Sequence, residues 1–394
     1  MMSASKEIGP HLCLVADVLH FNDGQGRVNY EVAKAVLAAG YRLTMVARVC
    51  AEDLAQHPQA RWVATGNTKL PTQLARNLYF ARKSAAWLRQ HRGEFDVIQA
   101  NGFVTWEPVD IVAVHFVHEA WLKNRFFPFQ WGSLSPYQWY QRGLTIMNSR
   151  FERTAFTTAK QLIAVSRATA KEVEDLGIAA SKLCVIYNGV DTSEFHPPTL
   201  ATPCQRATFG LPEGVPLALF VGDIRTSRKN LEAILTALVS LPGVHLAVAG
   251  AVENSPYPEQ ARWLGLGSRV HFIGKTSRIS TLMRSVDLFV MPSRYETFGM
   301  VVLEAMASAL PVILSARVGA VEFVGDICRV VEDPDDTVGL TAAMRDLMAD
   351  PAARARIGDA GRARALEVQW SRTSGAYLDL YDEFVAQKQK GTKV

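Results

Sequence analysis

Cysteine is scarce in this chain of 394 residues, with five in all: Cys13, Cys50, Cys184, Cys204 and Cys328. They are scattered, odd in number and never spaced as Cys-x-x-Cys, so neither a disulfide framework nor a zinc knuckle organises the fold. Long hydrophobic runs are missing too. The best stretch, 299–314, is broken by Glu304 and Pro311 and falls short of the length that spans a bilayer. The first ten residues lack an apolar core, so no secretory signal is expected there. Charge is nearly balanced, with 42 Lys and Arg against 38 Asp and Glu. A net charge of +4 is too small for nucleic-acid binding, which shows a concentrated basic face. Repeats and low-complexity segments do not stand out either. What is present is apolar material, 48% of residues against 20% charged, the composition of a globular protein in a reducing cytoplasm. A chain of this length exceeds one core and suits two domains of ordinary size.

The order of segments defines the fold class. Strand-like runs at 11–16, 42–47, 96–100, 110–115, 161–165 and 183–186 alternate with helical patterns at 28–39, 74–91, 150–158 and 168–176. The segment 196–203, with three prolines, has linker composition. A second series of strands follows at 217–221, 246–249, 270–273, 288–291, 312–314 and 328–331, and the chain is helical past Pro351. Such alternation specifies parallel sheets with helices on both faces, with ligands outside the carboxyl ends of the strands. The motifs fall at those ends.

One of them dominates. Asp287 to Met291 reads as a strand ending at Pro292-Ser293, a loop closes at Gly299, and a helical pattern runs from Met300 to Pro311. Glu296 precedes the helix and Glu304 lies about one turn inside it, seven residues intervening. Amides near Phe298-Gly299-Met300 and the helix dipole favour an anion there, so the acids can bracket a ligand built as sugar, diphosphate and ribose. The competing reading is a surface helix capped by its acids, and the flanking Pro-Ser, Phe-Gly and Pro-Val weigh against it. Upstream, Gly222 opens a loop with Arg225, Arg228 and Lys229 ahead of a helix. Fixed positive charge of this kind suits a leaving diphosphate, against the alternative of a solvated basic loop.

In the first half, Asp110 to Glu119 ends a strand with His115 and His118. No third ligand or His-Glu-x-x-His order supports a metal pair. One strand histidine would usually be a satisfied core residue, but two at a carboxyl end favour function. The loop 22–27 carries Gly24 and Gly26 but has Asn29 in place of a third glycine and Arg48 after the second strand, so it is not a dinucleotide fingerprint. Gly24 and Gly26 either admit a diphosphate or acceptor to the backbone or form a tight turn. Gly274-Lys-Thr276 lacks the earlier glycine of a P-loop, Arg269 standing there. Asp333-Pro-Asp335 precedes a helix as a turn or cap would, and is taken as structural. Aromatic and basic residues mix over 121–131 and 137–140, where ordinary packing competes with an interfacial surface near anionic lipid or stacking on sugar rings.

With its Glu-x7-Glu element at Glu296 and Glu304, the chain resembles the retaining GT4 glycosyltransferases over nearly its full length. The resemblance implies the GT-B fold: two Rossmann-like, doubly wound parallel-sheet domains facing each other across a cleft. An acceptor domain would span 1–197, with a C-terminal helix, 371–394, packing back on it, and a nucleotide-sugar domain 204–370. The implied activity moves a sugar from a nucleoside diphosphate sugar to an acceptor hydroxyl, in bacterial glycan, lipopolysaccharide or glycolipid synthesis. Glu296 would hold the donor sugar, with Thr297 beside it. The amides of Phe298, Gly299 and Met300 would hold the diphosphate together with Lys229 and either Arg225 or Arg228. Phe272 and Ile273 would lie at the nucleobase, Glu304 at the ribose, and His115 or His118 at the reacting groups, His115 being the better match. Asp223 departs from the pattern, standing where an arginine is usual. No cofactor and no metal are implied, with UDP or GDP as the expected nucleotide and a glycan, lipid-linked or small-molecule acceptor. A peripheral contact at the inner face of the membrane is a further expectation. The rival readings are a GT-B sugar-nucleotide 2-epimerase and a nicotinamide oxidoreductase.

Overall fold

The structure is a computed structural model describing residues 9–21, 24–66, 69–129, 135–325 and 327–391. The chain divides into two compact units. The first comprises Met1–Lys123, Phe129–Asn188 and Trp370–Val394, the second Asn124–Pro128 and Gly189–Gln369.

The first unit is built on seven strands: β1 (His11–Val15), β2 (Arg42–Ala47), β3 (Ala60–Ala64), β4 (Val97–Asn101), β5 (Ile111–Val114), β6 (Gln161–Ala164) and β7 (Leu183–Val185). Their order is β3-β2-β1-β4-β5-β6-β7, and every neighbouring pair is parallel. Continuous apolar runs such as Leu12-Cys-Leu-Val15 produce this, because parallel strands are covered on both faces. The C-terminal helix Trp370–Gly391 belongs to this unit. Its Tyr377 and Tyr381 are fully buried. The Tyr381 hydroxyl donates to Gln99 Oε1 at 2.7 Å, and that of Tyr41 donates to Asp382. Several elements differ from the sequence reading, among them the short helices Glu52–Ala55 and His118–Lys123, which it lacked. The edge strand β3 was not anticipated; it is half exposed and carries Arg61 and Trp62, so it has no apolar run to announce it. The helix expected at 150–158 begins at Pro136, and the one expected at 28 begins at Gly24.

The second unit repeats the plan with β8 (Leu217–Val221), β9 (His245–Ala249), β10 (Val270–Gly274), β11 (Leu288–Met291), β12 (Val312–Ser315) and β13 (Arg329–Val331). The order β10-β9-β8-β11-β12-β13 is parallel throughout. The chain winds outward from β8 to β10 and then returns to β11 on the other side. That reversal makes the carboxyl ends of β8 and β11 a topological switch point, the place where open parallel sheets bind ligands. The core beneath it joins Phe220, Leu246 and Val290 of the sheet to Leu235 and Met344 of two covering helices. Among the described residues no helix is long and apolar enough to cross a membrane.

Candidate active site

The loops after β8 and β11 are fastened to each other. Arg294 N–H donates to the Arg228 carbonyl at 2.9 Å, and Arg228 donates back to the Tyr295 carbonyl at 3.2 Å. On its far side the acid loop is pinned to the segment after β12. Glu296 N–H reaches the Arg317 carbonyl at 3.2 Å, while Gly319 and Ala320 each donate at 2.8 Å to the Glu296 and Phe298 carbonyls. Gly299 then turns the chain into the helix Met300–Ala307 with φ 93°. A Cβ at that position would meet Val318 Cγ1 at 2.9 Å, so conformation and space both demand glycine. The opening N–H groups of this helix have no intrahelical acceptor, and its dipole is positive at this end. Within the helix only Met300, Val301 and Glu304 are partly exposed. They form a single open stripe, with Glu304 about 6 Å along the axis from Met300. Glu296 thus lies before the tip and Glu304 beyond it.

The cations divide unequally. Arg225 folds onto Asp223 with two bonds, 2.8 and 3.0 Å. Burial works against ionising Asp223, but the bonds and charge of Arg225, with Arg228 adding to them, hold its carboxyl below the usual range. Lys229 instead forms an ion pair with Glu296, and Arg228 stands 3.6 Å from the same carboxylate. The stem of Lys229 crosses Gly222, where a Cβ would approach its Cγ to 3.4 Å. Burial opposes ionisation of Glu296, but Lys229 and Arg228 outweigh it and draw the carboxyl below its ordinary value. Burial and the nearby Arg228 lower Lys229 against the pull of Glu296. Two cations therefore share one acid beside a positive helix tip, an arrangement that attracts an anion of more than one charge. Of the two arginines the sequence left open, Arg228 is the one in this cluster.

Phe272 and Ile273 lie near the end of β10, partly buried, and Gly250 N–H bonds the Gly274 carbonyl there at 3.1 Å. Thr297 is partly exposed beside Glu296, whereas Phe298 is 2% exposed and faces the core. Asp335 N–H bonds Asp333 Oδ1 in a turn, and the helix cap itself is Asp336.

In the first unit, Gly24 and Gly26 fall in the first turn of the helix Gly24–Ala38; residues 22 and 23 lie outside those described. His115 directly follows β5 at its carboxyl end, and burial pushes its pKa down to about 4, so the ring is neutral at pH 7. His118 opens the short helix His118–Lys123 and is held from one direction. Its Nδ1 lies 2.6 Å from Glu152 Oε1, and its backbone N–H donates to Glu152 Oε2 at 2.9 Å. Asn148 Nδ2 reaches its Nε2 at 3.2 Å. Glu152, 5% exposed, did not figure in the sequence reading. Its one signal was being the sole acid in the 23-residue helix Pro136–Thr158.

Two family models match in tandem: Glycosyltransferase Family 4 over residues 22–194 and Glycosyl transferases group 1 over 202–364. A D-inositol 3-phosphate glycosyltransferase of Mycobacterium bovis is 30% identical over 346 residues, 82% of this chain and 69% of that protein. This chain belongs to the GT4-type glycosyltransferases. A relative of the same name from Xylanimonas cellulosilytica is 32% identical over 244 residues, 56% of this chain and 58% of its own length. Anabaena Alr3699/HepE, solved in complex with UDP-glucose, superposes with a TM-score of 0.72 at 20% identity, covering 94% of this chain and 99% of that one. The glycosyltransferase fold here is accordingly GT-B, each unit carrying its own parallel sheet.

Proposed function

We propose that this glycosyltransferase moves a sugar from a UDP-sugar, or a GDP-sugar, to an acceptor hydroxyl with retention of anomeric configuration. The convergence of Lys229 and Arg228 on Glu296 at the tip of Met300–Ala307 carries this reading. A diphosphate is the anion such a cluster suits, and the UDP-glucose complex of a GT-B neighbour supports the nucleotide. Lys229, Arg228 and the opening amides take the charge that grows on the leaving diphosphate, which needs no metal. Glu296 and Thr297 bind the donor sugar, Glu304 the ribose, and the backbone at Phe272 and Ile273 the base. The acceptor oxygen bonds to the anomeric carbon on the face from which the diphosphate departs. The bond from that carbon to the phosphate oxygen breaks, and the acceptor proton passes to the departing phosphate. In the first unit, His115, uncharged at pH 7, and His118, held by Glu152, are the side chains suited to hydrogen-bond an acceptor hydroxyl. Gly24 and Gly26 let the acceptor or diphosphate approach the first unit's backbone.

The relatives' name, D-inositol 3-phosphate glycosyltransferase, supports a small hydroxylated acceptor beside the glycan and lipid-linked ones. Membrane-proximal work at the inner face of the cytoplasmic membrane, in bacterial glycan or glycolipid synthesis, has one supporting observation. The helix Gln73–His91 has four basic residues and no acid, and Tyr137, Trp139 and Trp106 are exposed. Calorimetry against UDP, GDP and ADP tests the donor, and the absence of binding by any of them would refute the reading. Acceptor-dependent release of UDP, with an axial or equatorial product linkage matching the donor in NMR spectra, tests transfer. Conversion of the nucleotide sugar without acceptor would instead favour the epimerase.

A further inference from the structure

We propose that Arg294 is a positioning residue for the donor: it sets the spacing between the cationic loop and the acid loop. The proposal rests on reading this cluster as the donor site. Arg294 is two residues ahead of Glu296, and its side chain is 14% exposed. Its backbone N–H bonds the Arg228 carbonyl at 2.9 Å, one residue before Lys229. Its guanidinium reaches the Ser227 carbonyl at 3.2 Å and Asp335 Oδ1 from Nε at 2.9 Å. A second guanidinium nitrogen lies 2.8 Å from the same Asp335 oxygen and 3.4 Å from Glu232 Oε2.

One side chain therefore joins three segments: the turn Ser227–Lys229, the loop carrying Glu296, and the turn ahead of the helix Thr337–Ala349. Asn230, wholly buried at φ 57°, fastens the first of these to the third by donating to the Pro334 carbonyl at 2.6 Å. The Lys229 ammonium and the Glu296 carboxylate, paired with each other, are thus the two tips of a bracket whose base is Arg294. Neither tip is rigid alone, since a lysine stem and a glutamate each have several rotatable bonds; the fixed quantity is the distance between their backbones. A planar fork bonds a carbonyl and a carboxylate in fixed directions, which the compact ammonium of a flexible lysine does not reproduce. Misplacing a binding group by about 1 Å can cost on the order of 100-fold in rate.

The test uses the full chain with Arg294→Met, Arg294→Lys and Asp335→Asn, measuring the UDP Kd by calorimetry, steady-state kinetics and the melting temperature. Arg294→Met should weaken UDP by about tenfold or more and raise the donor KM while lowering kcat, leaving the acceptor KM unchanged. Arg294→Lys should recover part of the affinity, and Asp335→Asn should show a smaller loss of the same kind. A residue that only stabilised the fold would reduce the active fraction, lowering kcat with an unaltered UDP Kd in the molecules that remain folded. That outcome in any variant that folds, or UDP affinity within twofold of wild type throughout, overturns the proposal. Should Arg294→Met not fold, the other two variants decide by the same criteria. Failure of wild type to bind any nucleoside diphosphate would refute the donor site itself, which is a different result.

Discussion

Truncating Lys229 should weaken the binding of bare nucleotide, whereas neutralising Glu296 should not. The two side chains are 14% and 13% exposed and paired, with Arg228 sharing the same carboxylate. A diphosphate arriving at the helix tip must draw Lys229 toward itself and away from Glu296. Lys229→Ala removes one charge-assisted hydrogen bond, about 1.5–3 kcal/mol, so the UDP Kd should rise roughly 10- to 150-fold. Glu296→Gln keeps the volume and one acceptor oxygen but removes the competing anion. Bare UDP should then bind as well as before or more tightly. A UDP-sugar should lose the advantage it holds over UDP, because the charged partner of its hydroxyls has gone. Calorimetry with UDP and UDP-glucose at one fixed ionic strength reads all four quantities, salt being held constant because it screens these charges. If Glu296→Gln weakened bare UDP as much as Lys229→Ala does, Glu296 would be a scaffold of the loop and the bracketing order would be wrong.

Glu304→Ala should weaken UDP and UDP-sugar alike, by about 1.5–3 kcal/mol in calorimetry, since both carry the ribose; an effect confined to the sugar nucleotide would count against it. Because burial lowers the Lys229 pKa from 10.5, the ammonium is lost at a lower pH than in an ordinary lysine. UDP affinity should therefore fall with rising pH before 10.5 is reached, and Lys229→Arg should postpone that fall. For His115 the folded chain takes up its proton only near pH 4, whereas the unfolded chain does so near 6.5. Stability should thus decline as pH drops through that window in denaturant titrations, and His115→Asn should flatten the decline. Turnover should survive excess EDTA; activity lost and then restored by magnesium or manganese would reverse the assignment of leaving-group stabilisation to side chains.

Buried parallel strands were the most legible features. Leu217–Val221 and Leu288–Met291 are unbroken apolar runs because helices cover both sheet faces, so composition alone betrays them. The edge strand Ala60–Ala64 escaped for the converse reason, its side chains being half solvated. Pro136 to Gly143 hid the first turns of its helix, since Pro-Tyr-Gln-Trp-Tyr-Gln-Arg-Gly has no clear apolar stripe. In the site, the acids and Lys229 could be picked out by their place relative to strand and helix ends. Which of Arg225 and Arg228 stands beside Glu296 could not, because that depends on Asp223 drawing Arg225 to itself. Glu152 and Arg294 were invisible for a related reason: each acts across a sequence separation of 34 or more residues, through contacts no local spacing encodes.

Apart from Asn124–Pro128, the second unit lies wholly between Asn188 and Trp370, an insertion within the first. During synthesis β1 to β7 emerge long before the helix bearing Tyr377 and Tyr381 that seals them. At about 5–20 residues per second the ribosome needs roughly 10–40 s to deliver the inserted unit. Throughout that interval Gln99 lacks its tyrosine hydroxyl and the flank of the helix Gly24–Ala38 that the C-terminal helix covers stands bare, while the second unit can already close its own core. The nascent protein should therefore mature its second unit first. The waiting half is where a chaperone would engage, and truncations ahead of Trp370 should aggregate through it.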